Sequence, residues 1–231
     1  MTADRITLVF DGDQTLWDFR SALDRALAET RHELARVTGV ELALIPTVAE
    51  MTAARDRLMT ESGGQRLEHV RRSAFAQLLA QIEVDATTEL IDHINQFFVG
   101  RRYEMCRPYR ETVPVLRSVR DRYQLVLLTN GNSFPERIGL GGLFDHAFFA
   151  DDIGAEKPSP VAYEHVVTLC GGSVLVSIGD SIPNDIIGPA AQGWRTIWVN
   201  RDSRVLPEHA HPDGIIVNLE ALEATIERIL G

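Results

Sequence analysis

The chain has 231 residues, 45% of them hydrophobic and 24% charged, enough for one large globular domain or a core domain with a smaller companion. Its 23 basic and 33 acidic residues give a net charge of −10, which argues against nonspecific binding to nucleic acid or to an anionic membrane, since both favour basic surfaces. Two cysteines, Cys106 and Cys170, do not make a disulfide framework, no apolar run approaches the ~20 residues of a membrane span, and the start does not read as a signal peptide. The expected setting is a reducing, cytoplasmic one, with both thiols buried.

The first element is an apolar run, Ile6-Thr7-Leu8-Val9-Phe10, that reads as a strand and ends in Asp11-Gly12-Asp13-Gln14-Thr15-Leu16. Residues i and i+2 of an extended chain point the same way, so the carboxylates of Asp11 and Asp13 converge. Converging acids repel, and burying them unpaired is costly, so the pattern points to a bound cation or to shared protons. One acid could then be a nucleophile and the other a general acid/base. A strand ending in a polar turn is the plainer reading of the same residues.

From about Phe19 to Arg102 the chain is rich in Ala, Leu, Arg and Glu and has few strand-like runs. The spacing of apolar residues predicts helices over Ser21–Val37, Pro46–Thr60, Glu68–Gln81 and Thr87–Arg102, with Gly39 and Gly63-Gly64 as breaks. Together they form a helical insert after the first strand, expected to span 17–104, with a second domain made of 1–16 and 105–231.

From Pro108 onward strands and helices alternate. A helix after Arg110 leads to the strand Gln124-Leu125-Val126-Leu127-Leu128, which runs into Thr129-Asn130-Gly131. The run Ala147-Phe148-Phe149-Ala150 precedes a loop with Glu156-Lys157-Pro158, and Ser159-Pro160 opens a helix that Gly171-Gly172 ends. Val174-Leu175-Val176-Ser177-Ile178 leads into Gly179-Asp180, with Asp185 five residues on and a short helix over about Asn184–Gln192. Late strands are expected at Trp194–Val199 and Ile215–Val217, with Trp194 and Trp198 in the core. Such alternation indicates an α/β fold with a parallel sheet, and such sheets place their sites at the C-terminal ends of the strands. Singly, each of these segments has an ordinary reading too. Thr129-Asn130-Gly131 could be a turn, Lys157 a solvated lysine, and Asp180 a helix N-cap.

Asp11, Asp13 and Thr15, then Thr129, then Lys157 before a proline, then Gly179, Asp180 and Asp185 occur in one order along nearly the whole chain. In these residues the sequence resembles the haloacid dehalogenase-like hydrolase superfamily, in its DxDxT motif, its Thr or Ser at a strand end, its Lys and its acidic GDxxxxD-type loop. The resemblance implies a Rossmann-like, doubly wound parallel sheet core with an inserted all-helical (type 1) cap domain that closes over the site. It also implies a phosphatase mechanism. Asp11 attacks phosphorus to give an aspartyl-phosphate, Asp13 protonates the leaving oxygen and then activates water, and Thr15 helps hold Asp13. Thr129, Asn130 and Lys157 hold the phosphate. Mg²⁺ is held by the Asp11 side chain, the Asp13 main-chain carbonyl and Asp180, with Asp185 in support. The dehalogenase branch lacks an acid where Asp13 stands, so dehalogenation is not the expected reaction, and Gln14 departs from the usual Gly or Asp.

The expected substrate is a small phosphate ester such as a sugar phosphate, a nucleotide or a phosphoglycolate-like acid, with no nucleic-acid or membrane partner, on a monomer or homodimer. A phosphomutase and a non-catalytic binding protein on the same scaffold are the alternatives. Trp17 and Arg66 are weak candidates for reading the substrate. The glycines of Gly63-Gly64-Gln65-Arg66 permit movement and Arg66 could meet an anion.

Overall fold

Four of the apolar runs are buried along nearly their whole length, as strands in the middle of a parallel sheet must be. The computed structural model describes residues 6–61, 66–170 and 174–231. In chain order its elements are strand β1 (Thr7–Phe10), helices α1 (Phe19–Thr38), α2 (Val48–Glu61), α3 (Leu67–Gln81), α4 (Thr88–Met105) and α5 (Thr112–Val119), and strands β2 (Gln124–Thr129) and β3 (His146–Phe149). There follow α6 (Ala150–Ile153), α7 (Pro160–Cys170), β4 (Leu175–Gly179), α8 (Gly188–Ala191), β5 (Arg195–Val199), β6 (Gly214–Ile216) and α9 (Leu222–Leu230).

The six strands form one parallel sheet in the order β3-β2-β1-β4-β5-β6. The chain winds outward from β1 through β2 to β3, then returns to the other side of β1 and winds outward through β4, β5 and β6. This is a Rossmann-like α/β fold whose direction of winding reverses between β1 and β4. Tyr163 and Val166 of α7, with Trp194, pack on Val9, Val126 and Leu128 of the sheet. Trp198 is also fully buried.

The chain divides into two compact units, one taking the chain up to Asp18 with Arg107–Gly231 and the other Phe19–Cys106. Within the sheet unit the two ends of the division run side by side. Trp17 bridges Pro108 in antiparallel fashion, and the Asp18 N–H donates to the Arg107 carbonyl at 3.4 Å.

The second unit is α1–α4 around a core of Leu23, Ala26, Leu27 and Leu34 from α1, Met51 from α2, Phe75, Leu78 and Leu79 from α3, and Ile94 and Phe98 from α4. Local chemistry sets the helix ends. Thr47 and Glu50 form a capping box before α2, with the Thr47 N–H donating to Glu50 Oε2 at 2.7 Å and the Glu50 N–H to Thr47 Oγ1 at 3.3 Å. The Thr87 hydroxyl accepts from the Leu90 N–H ahead of α4, and Gly39 closes α1 in the left-handed conformation. Arg31 then ties the α1–α2 connection by donating to the carbonyls of Leu42, Ile45 and Pro46. Gly63-Gly64-Gln65 and Gly171-Gly172, expected as breaks, lie outside the described residues.

One expected helix takes a different form, and α6 and α9 were not expected. The short helix over about Asn184–Gln192 begins at Ile182 as a π-helical turn, Ile182–Ile187, and becomes α-helical only at Gly188. The N-cap is Ser181, whose hydroxyl accepts from the Asn184 N–H, rather than Asp180. Among the described residues no helix is long and apolar enough to cross a membrane.

Candidate active site

The reversal of winding puts the ends of β1 and β4 next to each other and opens a crevice at their C-terminal edge. Asp11 is the residue after β1, and its N–H donates to the Ile178 carbonyl of β4 at 2.9 Å, which pins the start of the loop to the neighbouring strand. Asp180 is the residue after β4. Two strands adjacent in space but 165 residues apart in sequence thus deliver the two acids together.

Lys157 enters this acidic crevice from the loop between α6 and α7. Its ammonium donates to Asp11 Oδ1 at 2.9 Å and to Asp185 Oδ1 at 2.7 Å, and the residue is only 5% exposed. Its backbone is held by Asn130, whose Oδ1 accepts from the Lys157 N–H and whose Nδ2 donates to the Lys157 carbonyl, both at 2.8 Å. The amide of Asn130, expected on the phosphate, is therefore engaged at both ends in placing the lysine. Thr129, buried at the end of β2, accepts the Gly131 N–H on its hydroxyl at 3.0 Å.

Asp185 sits on the π-helical turn and folds back, so that its Oδ2 accepts the Ser181 N–H at 2.9 Å. A side chain on Gly179 would collide with it, since a Cβ there would lie 2.3 Å from the Asp185 carboxyl carbon. Oxygens of Asp11, Asp180 and Asp185 lie within 4.8 Å of one another.

The charges do not balance. Burial, then Asp185, Asp180 and Asp13, push the Asp11 carboxyl far above the usual carboxylate range, against the pull of Lys157. Burial, then Asp185 and Asp13, raise Asp180 to about 6, with Arg204 and Lys157 pulling the other way. Burial works against the Lys157 ammonium, but Asp11 and Asp185 outweigh it and hold its pKa above the ordinary lysine value. Lys157 stays charged, Arg204 offsets Asp180 in part, and the mutual repulsion of the four acids adds to burial in raising Asp11 and Asp180, the two that are left short of positive charge. A donor set of carboxylate oxygens with excess negative charge fits a hard divalent cation, which takes oxygen ligands and would restore the ionised acids.

Asp13 stands on the sharp turn that follows Asp11, where Gln14 adopts a left-handed φ of 63°. Thr15 was expected to hold it. In the structure the Thr15 hydroxyl is buried and makes no hydrogen bond, and the indole N–H of Trp17 donates to Asp13 Oδ1 at 2.6 Å instead. Trp17, expected to read substrate, is fully buried. Arg66 is exposed beside α3, in the helical unit.

Sequence reasoning missed two arginines on the loop after β5. Arg201 stacks on the Tyr109 ring at 3.6 Å, pairs with Glu111 Oε1 at 2.7 Å and donates to the Thr15 carbonyl at 2.8 Å, so it clamps the turn that carries Asp13. Arg204 donates to the Asp180 carbonyl at 2.6 Å and lies 3.3 Å from its Oδ2. Asn200 closes this loop through two hydrogen bonds with the Arg204 backbone. The signal that could have found them is position, because both follow a strand at the sheet edge that carries the acids.

A buried lysine among carboxylates, at the winding reversal of a parallel α/β sheet, stands where folds of this kind hold their active sites. The model of the haloacid dehalogenase-like hydrolases matches residues 7–193, and the chain belongs to that family of enzymes. Pyrimidine 5'-nucleotidase YjjG of Escherichia coli (strain K12) is 26% identical over 231 residues, 94% of this chain and 95% of that protein. Among solved structures, the 2-haloacid dehalogenase of Pseudomonas syringae pv. Tomato DC3000 is similar with a TM-score of 0.82 and 29% identity, over 98% of this chain and 99% of that one. The putative HAD-hydrolase YfnB of Bacillus subtilis, bound to magnesium, shares the fold with a TM-score of 0.75 and 23% identity, over 96% of this chain and 98% of that one.

Proposed function

We propose that the chain is a magnesium-dependent phosphomonoesterase that hydrolyses a small phosphorylated metabolite through an aspartyl-phosphate. The observation that carries this reading is the second carboxylate, Asp13, two residues beyond Asp11 and close enough to raise its pKa. An alkoxide is a poor leaving group and needs a proton as it departs, and in this reading Asp13 gives it.

In this reading an Asp11 oxygen forms the new bond to phosphorus as the P–O bond to the alcohol breaks, and Asp13 protonates the departing oxygen. Asp13 then takes a proton from water as the water oxygen bonds to phosphorus. The Asp11–phosphorus bond breaks, orthophosphate leaves and Asp11 is restored. Lys157 and the Thr129 hydroxyl donate to phosphoryl oxygens. Asn130 serves the phosphate indirectly, by holding Lys157. Asp11, the Asp13 carbonyl and Asp180, supported by Asp185, would hold magnesium, which would supply the positive charge that the acids and the phosphoryl oxygens require. The magnesium bound to YfnB supports the choice of ion. Similarity to a pyrimidine 5'-nucleotidase puts nucleoside monophosphates first among the substrates to try.

The likeness to a 2-haloacid dehalogenase favours a second reading, in which Asp11 displaces a halide from carbon. A halide leaves as a stable anion and needs no proton, so that chemistry gives Asp13 no task. The test measures orthophosphate release from nucleoside monophosphates, sugar phosphates, phosphoglycolate and an aryl phosphate, and chloride release from 2-chloropropionate, each with Mg²⁺ and with chelator. Metal-dependent phosphate release that Asp11→Asn abolishes in a folded protein supports the proposal. Chloride release without phosphate release overturns it in favour of the dehalogenase, and isomerised sugar phosphate in favour of a mutase.

A further inference from the structure

We propose that Trp17 is the positioning residue for Asp13: its indole N–H fixes the carboxyl group through Oδ1 in the orientation from which Asp13 gives the proton to the leaving group and takes one back from water. This rests on the reading of Asp13 as the acid/base of the proposed phosphatase.

The geometry is built around the pair. The indole N–H meets Asp13 Oδ1 at 2.6 Å, at the short end of the range for an N–H donor and a carboxylate. The ring has no exposed surface and cannot swing away without opening the core. It lies against Gly12, where a Cβ would stand 2.3 Å from the ring carbon Cζ2, so a residue with a side chain at 12 would displace the indole. The other carboxylate oxygen lies along Gly131, where a Cβ would stand 2.7 Å from Oδ2. Two glycines, one after β1 and one after β2, thus leave room for the indole on one side of the carboxyl group and for Oδ2 on the other. The backbone fixes the same pair, since Trp17 and Asp13 bridge each other and the Gln14 N–H donates to the Trp17 carbonyl at 2.8 Å. The Thr15 hydroxyl, the other candidate for this task, makes no hydrogen bond.

An indole N–H donates and never accepts. Its bond to Oδ1 therefore holds the Asp13 carboxyl group in one orientation whichever protonation state it is in. In the first half-reaction the Asp13 carboxyl O–H bond breaks and its proton goes to the ester oxygen, as the Asp11–phosphorus bond forms and the P–O bond to that oxygen breaks. In the second, the Asp13 carboxylate receives a proton of the attacking water as the water oxygen bonds to phosphorus and the Asp11–phosphorus bond breaks. The indole keeps its own proton throughout. A buried tryptophan that merely satisfies its N–H would be equally well served by a carbonyl, as Trp198 is by the carbonyl of Asp180.

The test is Trp17→Phe, which keeps an aromatic ring and removes the donor, assayed with magnesium on phosphomonoesters that share the phosphoryl group but differ in leaving group. Asp13→Ala is run in parallel. The expected result is a kcat/KM for alkyl phosphates lowered roughly tenfold to a hundredfold, with KM little changed, and less than about a threefold loss for p-nitrophenyl phosphate, whose leaving group needs little protonation. A merely structural role would lower all substrates alike. A uniform loss, or none, with a steep leaving-group dependence in Asp13→Ala overturns the role of Trp17 and leaves that of Asp13 standing. A flat response in Asp13→Ala overturns the reading of Asp13 and this proposal with it. Should Trp17→Phe not fold, the native protein supplies the measurement. Of the indole N–H resonances of its three tryptophans, one is expected far downfield and displaced by Asp13→Asn. No indole resonance responding to that change overturns the proposal.

Discussion

The side-chain amide of Asn130 and the backbone of Lys157 are joined by two hydrogen bonds of 2.8 Å each, so the loop after β2 sets the position of a lysine 27 residues further on. Lys157 is the one lysine side chain that reaches Asp11 and Asp185. Truncation by Asn130→Ala removes both bonds while leaving the lysine in the chain. Each such bond is worth about 1 kcal/mol net. The expected outcome is a loss of roughly 1–3 kcal/mol in denaturant unfolding and a fall in kcat/KM of about tenfold or more. Unchanged kinetics in the folded variant would show that the lysine holds its place unaided.

The raised acids are expected to make binding of a divalent cation pH-dependent, with a definite sign. Asp11 and Asp180 have folded pKa values above their ordinary ones, Asp180 at about 6 against 3.8. A carboxyl group raised in this way stabilises the fold fully below its unfolded pKa and loses that contribution as pH rises through the folded value. Metal-free protein is therefore expected to lose stability from about pH 4 to pH 6 through Asp180, and further on through Asp11. Binding of a divalent cation favours the ionised forms and releases protons in the same range. Thermal unfolding with Mg²⁺ and with chelator should show a Tm difference that widens as pH rises. Calorimetric titration in buffers of different ionisation enthalpy should show proton release near pH 6. A Tm difference that is flat with pH would contradict this electrostatic account.

Gly179 has no room for a methyl group, because a Cβ would stand 2.3 Å from the Asp185 carboxyl carbon. That carboxylate is already fixed by the Lys157 ammonium and the Ser181 N–H. Gly179→Ala must push it off one of them. Overpacking of this kind costs about 1–3 kcal/mol. Activity is expected to fall by about a hundredfold, and Mg²⁺ to raise Tm less than in the native chain. Native-like metal stabilisation in this variant would mean that Asp185 is not needed at the cation.

Gly100 gives the opposite expectation. It lies inside α4, and a Cβ there meets nothing within 4 Å. Alanine loses less backbone freedom on folding than glycine does, so Gly100→Ala should stabilise the protein by about 0.5–1 kcal/mol with no change in kinetics. A destabilised variant, measured by the same unfolding assay, would contradict the open space around this position.

Much of the fold is legible in the chain because the two periods differ. Leu23, Ala26, Leu27 and Leu34 recur at helical spacing and become the buried face of α1. Leu125, Val126, Leu127 and Leu128 form an unbroken apolar run and are buried on both faces of the sheet. The π-helical turn at Ile182–Ile187 was not legible, because the Asp185 carboxylate that folds back onto the Ser181 N–H is also held by the Lys157 ammonium, 28 residues away in the chain. The places of Trp17 and Arg201 were hidden for a related reason. Arg201 reaches the Thr15 carbonyl across 186 residues, and the choice of Trp17 over Thr15 as the partner of Asp13 depends on how tightly the turn closes.

Which acids and glycines end which strands can be read along the chain. Asp11 and Asp13 lie at the end of one strand, Asp180 at the end of another, and the turn glycines stand where the chain must bend, all set by side-chain period and local backbone preference. Only the tertiary structure decided which of them meet. The strand order that puts β4 beside β1 brings Asp180 to Asp11, and that pairing is non-local. The burial that raises both acids, the lysine held between Asp11 and Asp185, and the indole on Asp13 all follow from it. Electrostatic energies and hydrogen-bond partners depend on distance in space and on exclusion of water, and neither is a property of position along the chain.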